Sequence, residues 1–173
     1  MKKNTRTVIT FALIAVFMIS TEVSEFLTAE KDYSPKEKAN IHLYGETHGM
    51  AKYYQKELEE WGKFYSEGHR DLFVELPYYS AQFLNLWMQT EDDAILNQYY
   101  AELEGTLSHV EEYLDFCHAF KNKYPETVFH GTDVGHQYDS TGKRYLEYLE
   151  ARSLKDSEEY ALSEKCIEQG KTF

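Results

Sequence analysis

Asp71-Leu72-Phe73-Val74-Glu75-Leu76-Pro77 is the stretch on which the fold turns. An apolar run of this length that ends in proline reads as a β-strand, because proline denies the residue before it a helical backbone. Upstream, Tyr54, Leu58, Trp61 and Tyr65 recur at three- and four-residue spacing, the mark of a helix with one apolar face. Before that helix stands a short apolar stretch, Ile41 to Gly45, expected to be a first strand.

Downstream, Ala81 to Met88 has the pattern of a short amphipathic helix, and helices are expected at about 91–104 and 109–122. The second of these is announced by Ser108-x-x-Glu111, a capping box. Thr127-Val128-Phe129-His130-Gly131 supplies a third strand. Two helices follow, Lys143 to Arg152 and Ser157 to Gln169, the last opened by Asp156 and stopped by Gly170. Strands alternating with helices predict an α/β fold, a small parallel sheet of βαβ units with flanking helices. Three strands is a short count for such a sheet.

The amino terminus has a different character. Lys2, Lys3 and Arg6 precede an apolar run from Val8 to Ile19, which Glu22 and Glu25 close. That order, charged then apolar then polar, marks residues 1–29 as a signal peptide or membrane anchor, with residues 8–19 in the membrane if the segment is not cleaved. Residues 30–40 are charged and hold Pro35, the composition of a linker, so the α/β domain is expected to span residues 41–173. The expected location is the cell membrane or outside the cell.

Charge narrows the partners. The 173 residues hold 18 Lys+Arg against 30 Asp+Glu, a formal net of -12, with no basic cluster beyond the first residues. Nucleic acid is not an expected partner, since neutralising phosphates needs a clustered basic face. The two cysteines, Cys117 and Cys166, form no Cys-x-x-Cys motif and are expected to be unpaired, buried thiols. The 15 tyrosines are expected chiefly in a core of half-buried rings.

Ligands of parallel α/β sheets bind beyond the carboxyl ends of the strands. Here those ends read Gly45-Glu46-Thr47-His48-Gly49, Glu75-Leu76-Pro77 and Gly131-Thr132-Asp133-Val134-Gly135-His136. Glu46, His48 and Glu75 are the candidate catalytic residues: an acid that orients an imidazole raises its capacity to take a proton from water. The same three side chains could instead hold a divalent metal. Asp133 and His136 are candidates for substrate binding. His130, inside a strand pattern, is expected to be a satisfied core residue, and His42, His69, His109 and His118 structural or solvent-facing.

The turn Gly45-Glu46-Thr47-His48-Gly49 and the acid-bearing strand Phe73-Val74-Glu75 resemble those of the erythromycin-esterase-like and ChaN-like (haem-uptake, Tiki-related) superfamily, over roughly residues 40–150. Asp133 resembles the group's aspartate after a later strand. The resemblance implies ester hydrolysis of a small-molecule substrate, with His48 as general base on water, Glu46 and Glu75 positioning it, and no cofactor required. It also implies two alternatives: a haem- or metal-binding envelope protein, and a metal-dependent peptidase. The Glu46-x-His48 spacing is closer to the haem-uptake branch. The histidine that the family adds from a later strand has no counterpart here, so the chain reads as a shortened member, with an inactive remnant as a further alternative.

Overall fold

A computed structural model of the chain describes residues 42–45 and 47–173. It divides into two compact units, one ending at Tyr44 and one spanning Gly45–Phe173. Of the first unit, His42, Leu43 and Tyr44 are described. They are exposed, Leu43 to 92%. The expected strand at 41–45 is not found: His42–Gly45 carry no regular secondary structure, and Ile41 lies outside the described residues. The expected signal or anchor segment, residues 1–29, and the linker, 30–40, also lie outside the described residues.

The second unit runs α1 (Ala51–Ser66), β1 (Asp71–Pro77), α2 (Tyr78–Met88), α3 (Ala94–Glu102), α4 (Glu111–Lys123), β2 (Val128–Asp133), a π-helical turn (Tyr138–Gly142), α5 (Lys143–Glu150) and α6 (Glu158–Thr172). Among the described residues the sheet has two strands, β1 and β2, paired in parallel with Leu72 opposite Phe129 and Val74 opposite Gly131. The fold is therefore α/β, mostly helical around a small parallel sheet.

The face of α1 legible in the sequence is the one that packs. Tyr54 and Trp61 are buried, with Leu58 and Tyr65 against the same cluster. Trp61 lies over Phe120, and its indole N–H donates to Thr127 Oγ1 at 2.9 Å, which satisfies two polar groups the core would otherwise strand. The helix α2 differs from its expected amphipathic form. Tyr79, Ser80, Ala81, Phe83, Leu84, Trp87 and Met88 are all buried, because α2 lies between two apolar clusters. One joins it to α1, α3, α4 and the sheet; the other joins it to α5 and α6. Its partly exposed residues are confined to Tyr78, Gln82, Asn85 and Leu86, a stripe narrower than an amphipathic surface helix shows.

Three start and stop signals read from the sequence act differently in the structure, each for a local reason. Ser108 does not cap α4. The loop turns on itself first, Thr106 Oγ1 accepting the Ser108 N–H, and the helix starts at Glu111, where Glu111 and Glu112 complement the helix dipole. Ser157, and not Asp156, caps α6 by accepting the Tyr160 N–H at 3.2 Å. Gly170 does not stop α6, which continues to Thr172. A Cβ at Gly170 would lie 2.0 Å from the Gly135 carbonyl oxygen, so the glycine is there for close approach.

The outer edge of β2 is closed by a side chain. Asn85 of α2 accepts the Phe129 N–H through Oδ1 at 2.8 Å and donates through Nδ2 to the Phe129 carbonyl at 2.9 Å, taking the place of a neighbouring strand. Asn85→Leu keeps the volume and leaves both groups of the buried Phe129 backbone unpaired. We expect a loss of about 3 kcal/mol in urea unfolding, since each orphaned group costs about 1–3 kcal/mol. A loss below about 0.5 kcal/mol would mean that water replaces the amide.

Both thiols are free and buried, as expected. Burial pushes the Cys117 thiol up to about 12, and the Cys166 thiol is raised by the same cause. A thiol so far from ionising is a poor nucleophile. An exposed-thiol reagent is expected to label neither cysteine at pH 8 until the protein is unfolded, when both react. Rapid labelling of the native protein would contradict the packing around α4 and α6.

Candidate functional site

The helices bring several chain segments to one end of the sheet. The last turns of α1 lie beside the start of β2, where Tyr65 Oη accepts the Glu126 N–H and Trp61 reaches Thr127. The 16 residues of α1 extend roughly 24 Å, so its first turn stands well away from the start of β2. α2 begins directly after Pro77, and the loop after α3 brings Leu107 against Gly49.

His48 is exposed on the turn that enters α1. The turn is held by its neighbour. Gly49 has φ +75°, its N–H donates to the hydroxyl of the buried Tyr54 at 3.2 Å, and a Cβ there would lie 2.5 Å from the Leu107 carbonyl oxygen. Glycine meets both requirements at once. Glu46 lies outside the described residues.

Glu75 stands on the exposed face of β1, where the register with β2 slips between Val74 and Pro77. Two residues of β1, Glu75 and Leu76, there face the single residue Thr132, whose hydroxyl donates to the Val74 carbonyl at 2.9 Å. Such a bulge re-aims side chains at a sheet end, and no residue type in the strand announces it.

Asp133 and His136 are brought together. Asp133 closes β2 opposite Pro77 and accepts the Val134 N–H through Oδ1 at 2.7 Å. Its Oδ2 lies 3.2 Å from His136 Nε2, an ion pair when the ring is protonated. The backbone at this turn is tied down. The His136 N–H donates to the Val134 carbonyl, and the Tyr79 hydroxyl donates to the His136 carbonyl. Burial raises the Tyr79 hydroxyl well above the ordinary tyrosine range, with Cys166 and nearby acids adding to it, so Tyr79 remains a neutral donor. Gly135 is pressed between the Cys166 carbonyl and Gly170. Both are candidates because they lie just past the carboxyl end of the third expected strand.

His130 is not a core residue. Asp71, Phe73 and Glu75 share the uncovered face of the sheet with Val128, His130 and Thr132, since alternate strand residues point the same way. His130 Nε2 lies 2.8 Å from Asp71 Oδ1, and the ring stacks on Phe73 with centroids 4.9 Å apart. The strand reading of the sequence was right, and the side of the sheet that the helices cover decided the burial. Elsewhere His118 pairs with Asp93 at 3.2 Å and His109 lies against Tyr100.

Among the described residues no three His, Cys, Asp or Glu side chains converge to hold a metal ion; the candidate set of Glu46, His48 and Glu75 extends beyond them. No family model, no curated protein and no solved structure matches this chain. Chemically, these segments offer an exposed imidazole on a fixed turn, a free-standing carboxylate on a bulge, and a carboxylate–imidazole pair. Each of these groups can accept or donate a proton.

Proposed function

We propose that this chain is a cell-envelope hydrolase of the erythromycin-esterase-like and ChaN-like type, acting on an ester of a small molecule. What supports the reading is an exposed His48 on the turn that Gly49 holds, together with an exposed Glu75 on the β1 bulge. In this reading His48 takes a proton from water, Glu46 and Glu75 position the imidazole and the attacking water, and Asp133 and His136 contact the substrate. The oxygen of that water adds to the acyl carbonyl carbon, and the bond to the alcohol breaks. No metal is needed for these steps. Residues 1–29 would export the chain or anchor it to the membrane; among the described residues no helix is long and apolar enough to cross one.

The haem alternative draws less from the structure. Six tyrosines, Tyr54, Tyr79, Tyr99, Tyr113, Tyr145 and Tyr160, are buried in the core. The test is turnover of a panel of simple alkyl and aryl esters by the full chain, with and without chelator. Turnover that survives chelation supports the reading. No turnover of any ester would overturn it, and peptide cleavage lost with chelator would transfer the site to the metallopeptidase alternative.

A further inference from the structure

We propose that His136, held against Asp133, is the general acid of this site, the group that protonates the departing alcohol. The inference rests on the hydrolase reading and adds to it the protonation of the leaving group. The departing alkoxide must gain a proton, and His136 offers a second source of one beside protonated His48. An alkyl alkoxide is a poor leaving group without a proton.

His136 has the features that this role needs. Its Nε2 faces the Asp133 carboxylate at 3.2 Å, which leaves Nδ1 as the nitrogen with no partner among the described residues. The imidazole is half exposed, its side chain 50% accessible, whereas Asp133 is 24% accessible, so the carboxylate forms the inner member of the pair and the ring the outer one. Four fixed contacts hold the backbone that carries the ring: Asp133 on the Val134 N–H, the His136 N–H on the Val134 carbonyl, Tyr79 on the His136 carbonyl, and Gly170 on Gly135. Gln137 follows with φ 51°, a left-handed backbone that turns the chain away directly after the histidine. A ring so mounted loses little freedom when it meets a substrate, which is the condition for efficient proton transfer.

The step balances with the groups named. Water adds to the acyl carbon as one of its protons passes to His48. The bond between acyl carbon and alcohol oxygen then breaks, and that oxygen takes the proton from Nδ1 of protonated His136. A carboxylic acid and an alcohol leave. The proton on His48 passes to His136 through solvent, to which both rings are open.

An acid of this kind matters only when the leaving group needs a proton, and that supplies the test. The full chain and its His136→Ala variant are compared on ethyl butyrate, whose ethoxide needs protonation, and on 4-nitrophenyl butyrate, whose nitrophenolate does not. We expect kcat/KM for the ethyl ester to fall about 100-fold or more, and that for the nitrophenyl ester less than about fivefold. Asp133→Asn is expected to show the same selectivity with a smaller loss. His136→Gln, which keeps much of the volume, supplies the comparison if the alanine variant unfolds. Equal losses on both esters, or none on either, would overturn the acid role and leave the hydrolase reading standing. A wild-type chain that hydrolyses neither ester would overturn both.

Discussion

Ester turnover by the full chain is expected to fall about 100- to 10,000-fold in His48→Ala, the range over which a positioned base accelerates proton transfer. Stability is expected to change by less than about 0.5 kcal/mol, because His48 is exposed and truncating an exposed side chain away from a cap or core costs little. The turn should survive the substitution, since Gly49 holds it through φ +75°, the Tyr54 hydroxyl and the Leu107 carbonyl. A loss of turnover with an unchanged melting curve therefore assigns the loss to chemistry. Glu75→Gln is expected to act in the same direction with a smaller loss, as it removes charge and keeps volume at the bulge. Equal rates in wild type and His48→Ala would remove His48 from the mechanism.

Gly170→Ala is expected to destabilise the protein by about 3 kcal/mol, at the upper end of what overpacking costs. Intrinsic propensity points the other way, because alanine is about 1 kcal/mol better than glycine inside a helix, and position 170 is inside α6. Geometry decides the sign. The added Cβ would lie 2.0 Å from the carbonyl oxygen of Gly135, 2.7 Å from its carbonyl carbon and 2.8 Å from its Cα. All three are backbone atoms, which cannot rotate aside as a side chain would. Either α6 or the Asp133–Gln137 turn must move, and the turn is tied to Tyr79 and Val134. A drop in melting temperature of about 10 °C is the expected readout. A higher melting temperature would show that the turn yields freely and that the contact between glycines is incidental.

These two cases mark the division between what could be read along the chain and what could not. The helical face of Tyr54, Leu58 and Trp61, the strand at Asp71–Pro77, the strand expected at Thr127–Gly131 and found at Val128–Asp133, the α/β class and the two free cysteines follow from spacing and residue type, which act over a few residues. Asp133 and His136 were also legible as candidates, being polar residues just past a strand. The rest was not legible. His42–Gly45 has the composition of a strand and carries no regular secondary structure. His130 sits in a strand as read, yet which face the helices cover left it half exposed beside Asp71 and Phe73. Gly170 looks like a helix stop, and a carbonyl 35 positions earlier in the chain makes it a contact point. The Glu75 bulge and the Asn85 clasp on Phe129 have no sequence signature either. Local patterns thus specify which elements form and where their polar residues fall; register, covered faces and close approaches depend on segments far apart in sequence, and only their packing together settles them.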